Sequence, residues 1–380
     1  MRLILPLLAL SIAISSIAVD FARLPASSPV CLHGFCRFDQ LFSRIDSEGA
    51  NLKNIGALLN EDPSNPSTWC SYGELLWKSG NLDGARAAFS RAIALGPGMS
   101  PVLMRAANFD FSQGHEEEAL ALAKRILRQT GAFDEILFSY FQRSKAPNAL
   151  DAGLPPEPRP AKAWLAWIGR NGTDREIADT WTWMKRQNVC DEGLAVEAVR
   201  LLWDRRAFEE AQAIWADWVG PADDYLKPDR LFNRRFQRPP AASALDWQLV
   251  TIPSVEISRG DGVEIRFLGR ENVNFYHIHQ FATVSAGRYR FRAEIETHDL
   301  TGDRLPFFHI LDAEPMRKVD VQTTAVGANA ARSWMTLDFD VPAGTRAVEI
   351  EIDRRPSESR DNPITGTLHV YQVSLERMER

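Results

Sequence analysis

From Pro66 to Pro97 the apolar and small residues fall at Trp69, Tyr72, Gly73, Leu76, Ala85, Phe89 and Ala92. That spacing fits two antiparallel helices and little else. Residues three and four apart share one helix face, so Trp69, Tyr72, Leu76 and Phe89 gather between the two rods. Gly73 and Ala85 are small where the rods must approach. Gly80-Asn81 supplies the turn, and Pro97 cannot continue the second helix. A helical hairpin is therefore expected over residues 66–99.

One hairpin buries too little apolar surface to stand alone, so neighbours of the same kind are expected. About 34 residues on, Leu103, Ala106, Ala107, Gly114, Ala119, Ala123 and Ile126 repeat the pattern, with Gly114 in the place of Gly80. A third copy opens at Leu137 and Tyr140, then meets Pro147, Pro155, Pro156, Pro158 and Pro160, which predict a loop over 145–160. Two further hairpins use Leu165, Ala166 and Ala178 around Asn171-Gly172, and Ala198, Val199, Leu202, Ala211, Trp215 and Trp218 around Arg205-Arg206. Upstream, Ala50 to Asn60 reads as the second helix of an incomplete first unit.

The spacing at 66–99 resembles the tetratricopeptide repeat. The resemblance implies an all-α solenoid over 38–220 whose first helices line a concave face. In that register Glu74, Trp77, Asn108, Phe111, Trp167, Arg170, Arg200 and Trp203 point into a groove for an envelope protein or a peptide. The competing reading packs these aromatics internally, against the Pro-rich loop or the C-terminal half.

The N-terminus bears on location. Arg2 precedes an apolar run from Leu3 to Val19, and Ser16-Ile17-Ala18 offers small residues for cleavage. Residues 1–19 are expected to be either a cleaved export signal or an inner-membrane anchor, with the body exported or periplasmic. In an oxidising compartment Cys31 and Cys36, within the linker 20–37, are expected to form a local disulfide, since a metal site would need more than His33 between them. Cys70 and Cys190 lie in expected helices and read as core residues. The net charge of −6 excludes a nucleic-acid partner on electrostatic grounds.

Beyond Asp229 the apolar period changes to two. Val255 and Ile257, Val263, Ile265 and Phe267, Tyr289 to Ile295, Val348 to Ile352, and Leu368 with Val370 alternate with polar residues. Turns at Gly260-Asp261-Gly262, Ala286-Gly287, Gly302-Asp303 and Ala343-Gly344 separate them. A linker over 221–238 and an all-β sandwich over 239–380 are expected, the first strand starting as early as 231. Asn233-Arg234-Arg235-Phe236-Gln237, Asp246-Trp247, Gln280 to Tyr289, and Trp334 to Gly344 resemble the jelly-roll, galactose-binding-like modules of carbohydrate-binding proteins. That resemblance implies a glycan site drawn from Trp247, Phe275, Tyr276, His277, His279, Phe307, Phe308, His309 and Trp334, with Trp247 and Trp334 also suited to the core. Gln237 stands where such modules carry the glutamate of a structural calcium site, so no cofactor is expected.

Catalytic patterns do not emerge. There is no Gly-x-Ser-x-Gly, phosphate loop or His-Glu-x-x-His. Glu294 with Glu296, and Glu349 with Glu351, read as the solvated face of amphipathic strands. His277 and His279 share a strand face, but no third ligand can be named, so no metal set is assigned. The expected protein is a non-catalytic envelope scaffold, an accessory of exopolysaccharide synthesis or export. The alternative is a carbohydrate-binding protein with the helices as spacer.

Overall fold

The computed structural model describes residues 52–378 apart from 145, 147, 222–224, 227–228, 316–317 and 360–361, together with the backbone of 31–32 and 35–36. The segment 1–19 lies outside the described residues. Two short strands, β1 (Cys31–Leu32) and β2 (Phe35–Cys36), pair antiparallel with Cys31 opposite Cys36. Their side chains, and so the expected disulfide, also lie outside. Among the described residues no helix is long and apolar enough to cross a membrane. The chain divides into two compact units, Met1–Gln129 and Thr130–Arg380.

The first unit holds α1 (Leu52–Glu61), α2 (Pro66–Lys78), α3 (Leu82–Leu95), α4 (Ser100–Ser112) and α5 (Glu116–Gln129). Local chemistry sets the ends. The Asn65 side chain accepts from the backbone N–H of Ser67 and Thr68, and Pro66 occupies the first turn, where no helical donor is lost. Gly80 and Gly114 take left-handed backbone, at φ 83° and 77°, in the α2–α3 and α4–α5 turns. A Cβ on Gly73 would sit 3.1 Å from the Phe89 ring, which is why this position is small. Phe89 stacks on Phe109 with centroids 5.0 Å apart, joining one hairpin to the next.

The second unit holds α6 (Asp134–Arg143), α7 (Ala149–Gly153), α8 (Pro158–Asn171), α9 (Asp174–Arg186), α10 (Glu192–Asp204) and α11 (Phe208–Val219). The proline stretch is less of a loop than expected. α7 lies inside it, and Pro158 and Pro160 belong to α8, Pro158 opening its first turn. Trp164, buried, donates to Thr180 Oγ1 at 3.0 Å and ties α8 to α9. Helices α6–α11 share a compact unit with the sandwich.

The strands β3 (Gln248–Leu249), β4 (Val255–Gly260), β5 (Gly262–Leu268), β6 (Phe275–Thr283), β7 (Gly287–His298), β8 (Phe307–Asp312), β9 (Asp320–Gln322), β10 (Ala330–Val341), β11 (Ala347–Arg354) and β12 (Thr365–Arg377) follow. They form two antiparallel sheets, β10-β7-β12-β5-β4 and β3-β6-β11-β8-β9. The expected alternation is the reason: Ile265, Phe291, Ile350 and Val370 point between the sheets and are buried, while their neighbours face outward.

The expected linker is structural from residue 229 on. Leu231 and Phe236 join the sandwich core, and Phe232 packs edge-on against Trp215 of α11. Within this segment, Arg234 approaches Asp229 at 3.5 Å, and Arg235 donates to Gln372. Asp229 is fully buried, and its Oδ1 accepts from the N–H groups of Leu231 and Leu375. Burial nevertheless pushes its carboxyl up to about 6. A folded pKa above the unfolded 3.8 means that the stabilisation belongs to the protonated form: it is complete below about pH 4 and lost as pH rises through 6. Asp229→Asn keeps the Oδ1 acceptor and removes that dependence. The variant's Tm relative to wild type should rise between pH 4 and pH 7, and a constant difference would show that the buried charge costs nothing.

Candidate functional site

The outer face of the β3-β6-β11-β8-β9 sheet carries Tyr276, His277, His279, His309, Glu351 and Asp353. The β6–β11 register shifts between Ile352 and Arg354. This irregularity leaves Phe275 in the core and turns both Tyr276 and His277 outward. Tyr276, 50% exposed, stacks on His277 with ring centroids 4.6 Å apart. His279 follows on the same face and meets Phe281 edge-on. Desolvation lowers the pKa of both histidines, His277 also through repulsion by His279, which favours neutral rings.

Beside this aromatic strip the adjacent strand β11 presents Glu351 and Asp353. Backbone pairing sets His279 opposite Glu351, and Glu351 opposite His309 of β8. His309 is 7% exposed. Its Nδ1 lies 3.3 Å from Glu351 Oε1 and 3.3 Å from Asp353 Oδ2, and its Nε2 lies 2.8 Å from Asp320 Oδ1. Asp353 foremost, then Glu351, and also Asp320, hold the imidazolium against desolvation and push its pKa up to about 10.

Other expected glycan residues are elsewhere. Trp247, Phe275 and Phe308 are fully buried in the core and cannot meet a ligand. Phe307 faces outward but is buried, with Arg355 over its ring. Trp334 reverses the core expectation: it is 41% exposed on the other sheet, beneath the Arg292 guanidinium at 4.3 Å. There Glu294 pairs with Arg332, and Tyr371 donates to Glu296.

The eight expected groove residues are divided between the units. In the first, Glu74 is engaged by Arg105 at 2.6 and 2.7 Å, while Arg105 also donates to Ser71 Oγ. Half-buried Trp77 lies edge-on to Phe109, Phe111 is half-buried and Asn108 exposed. In the second unit both expected groove tryptophans are engaged in packing. Trp167 is buried, stacks on Trp164 and donates to Glu135. Arg170 pairs with the same Glu135, and Arg200 with Glu197 and Asp204 of its own helix. Trp203 packs on Phe208 and on Phe281 of β6, with centroids 4.6 and 5.2 Å apart. Arg346 reinforces this contact, donating to the Arg206 carbonyl and pairing with Glu314. Cys70 is fully buried as expected, Cys190 only half-buried, and burial raises both thiols to about 11.

Residues 76–136 match the tetratricopeptide repeat family. The chain thus joins tetratricopeptide hairpins to a C-terminal jelly-roll sandwich. A relative named Protein CTR9 homolog, from Arabidopsis thaliana, is 37% identical over 67 residues, which are 18% of this chain and 6% of that protein. The chain therefore spans a small fraction of the curated relative it matches. Among solved structures, YrrB, described as a TPR protein with an unusual peptide-binding site, covers 43% of this chain and 90% of its own at 13% identity and TM-score 0.24. TmCBM61, solved with β-1,4-galactotriose, covers 40% of this chain and 99% of its own at 14% identity and TM-score 0.27.

The tetratricopeptide period was legible because it lies within contiguous sequence. Glu351 and Asp353 were missed because they share the period of any amphipathic strand. A third acidic residue on one outward face, after Glu349 and Glu351, is the signal that sequence offers. The pairing of β11 with β8 is not in it.

Proposed function

We propose that this is a non-catalytic binding protein of the cell envelope with two working surfaces. The sandwich face around Tyr276, His277 and His279 takes a glycan, and the tetratricopeptide hairpins hold a protein partner. An accessory role in exopolysaccharide synthesis or export joins the two: one surface touches the polymer, the other a component that makes or moves it. Export by residues 1–19, cleaved or retained as an anchor, is part of the same proposal.

The observation that carries the reading is the outward Tyr276–His277 stack beside Glu351. Exposed aromatic rings offer a flat apolar face to a sugar ring, neighbouring neutral imidazoles donate to hydroxyls or accept from them, and carboxylates accept from them. Trp77 and Phe111, half-buried on the first helices of adjacent repeats, favour peptide capture in the first unit.

Crossed variants of the full chain test both halves. Tyr276→Ala should weaken binding on a glycan array by about tenfold, the worth of roughly one aromatic contact, and leave partner pull-down unchanged. Trp77→Ala with Phe111→Ala should do the reverse. A wild-type protein that binds no glycan on the array removes the sandwich from this role.

A further inference from the structure

We propose that His309, Glu351 and Asp353 form a binding site for a divalent first-row transition ion, for which zinc is the probe. The site shares Glu351 with the glycan reading but does not rest on that reading, since its test contains no sugar.

The distances are the first argument. A charge-assisted hydrogen bond from an imidazole nitrogen to a carboxylate closes to about 2.7–2.9 Å. Nδ1 of His309 instead stands 3.3 Å from one oxygen of each of two carboxylates. It makes no hydrogen bond with either, although it is buried. A tetrahedral ion with ligand bonds of about 2.0–2.1 Å has ligand-to-ligand edges of about 3.3–3.4 Å. The observed separations match that edge, and all three donor atoms lie within 4.8 Å of one another.

The orientation of the ring points the same way. His309 Nε2 meets Asp320 Oδ1 at 2.8 Å, so Asp320 fixes the ring from behind and leaves Nδ1 facing Glu351 and Asp353. An imidazole that offers one nitrogen forward and gives the other to a carboxylate is the arrangement that orients metal-bound histidines and raises their basicity. The scaffold holds it firmly. His309 and Glu351 are directly paired across β8 and β11, and Phe307, the partner of Asp353, sits on the same strand as His309.

Charge adds to this. Glu351 and Asp353 side chains are each only 12% exposed. Among the described residues neither forms an ion pair with lysine or arginine, the nearby Arg355 donating instead to Gln322 and lying over Phe307. Three carboxylates thus converge on one imidazole, an excess of negative charge that a dication relieves. One nitrogen with carboxylate oxygens is a borderline donor set. It suits zinc or manganese better than magnesium or calcium, which prefer all-oxygen shells.

The experiment is zinc titration of the chelator-stripped full chain, read by calorimetry and by Tm, with magnesium and calcium as comparators. Wild type should take up one zinc per chain with a rise in Tm, and calcium should bind at least about tenfold more weakly. Glu351→Gln and Asp353→Asn should each weaken zinc by about a hundredfold, and Asp320→Asn by about tenfold, the range for an orienting partner. Each amide variant also loosens the carboxylate hold on the His309 imidazolium and should lower the metal-free Tm somewhat, so lost binding is separated from lost folding by a circular dichroism spectrum of each metal-free variant that matches wild type. Three results would overturn the site: no zinc uptake by folded wild type, uptake unchanged in both Glu351→Gln and Asp353→Asn, or calcium binding as tightly as zinc.

Discussion

Replacing Arg354 with leucine should destabilise the second unit by about 3–5 kcal/mol, the scale set by breaking a buried charged network. The guanidinium is fully buried at the end of β11. It donates to the backbone carbonyls of Val273 and Arg304 and to Asn272 Oδ1. Asn272 Oδ1 also accepts from the Ser357 N–H, so one cationic side chain gathers three loops at one end of the sandwich. Leucine recovers the desolvation cost that lowers the arginine pKa, but it takes this donor from the Val273 and Arg304 carbonyls, each worth about 1–3 kcal/mol, and releases Asn272 from the cluster. The losses outweigh the gain. Arg354→Lys keeps the charge but cannot span acceptors on separate loops, so it should fall between the two. Chemical denaturation of wild type and both variants orders the three. A leucine variant as stable as wild type would mean that the loops close without the guanidinium.

Arg354 also marks how far sequence reaches. Period-two alternation through Val348, Ile350 and Ile352 puts position 354 on the inward face, so its burial was legible in phase. Composition pointed the other way, because arginine is rarely buried without a partner. The partners here are loop carbonyls scattered through the sequence. The same limit applies at Tyr276 and His277. Strict alternation cannot put Phe275, Tyr276 and His277 in, out and out; that needs the register shift against β11. The helix pairs were read correctly at 66–99 and in the next copy because each is closed by local contacts, capped by Asn65 and turned at Gly80 and Gly114. The same periodicity puts Trp167 and Trp203 on the first-helix face, where Trp167 stacks on Trp164 and Trp203 rests on Phe281. Period fixes the helix face a residue occupies, but not what later packs upon that face.

Trp215→Ala should be the most damaging single truncation in the helical part of the second unit. The ring is 1% exposed and lies on α11, edge-on to Phe232, which itself meets Tyr225. Removing a buried tryptophan typically costs about 3–5 kcal/mol, because the cavity only partly collapses. Here the loss falls on a seam. On one side are α10 and α11; on the other are the residues 229–236 that enter the sandwich core, and nearby Trp203 rests on Phe281. The seam contains tryptophan, phenylalanine and the Arg346–Glu314 pair, not a hydrated spacer. Helices α6–α11 and the sandwich should therefore unfold as one cooperative body. In a fragment beginning at Thr130, helical signal near 222 nm and the near-ultraviolet signal of the aromatic core should melt together, and Trp215→Ala should lower both midpoints equally. If the helical signal alone moves, the sandwich is stable without its helices and residues 221–238 act as a true linker. If both move together, the helices brace the sheet whose outer face carries Tyr276, His277 and His279. The contact of Trp203 with Phe281 then fixes one end of that face, so loss of the seam would reach the glycan surface through β6 itself.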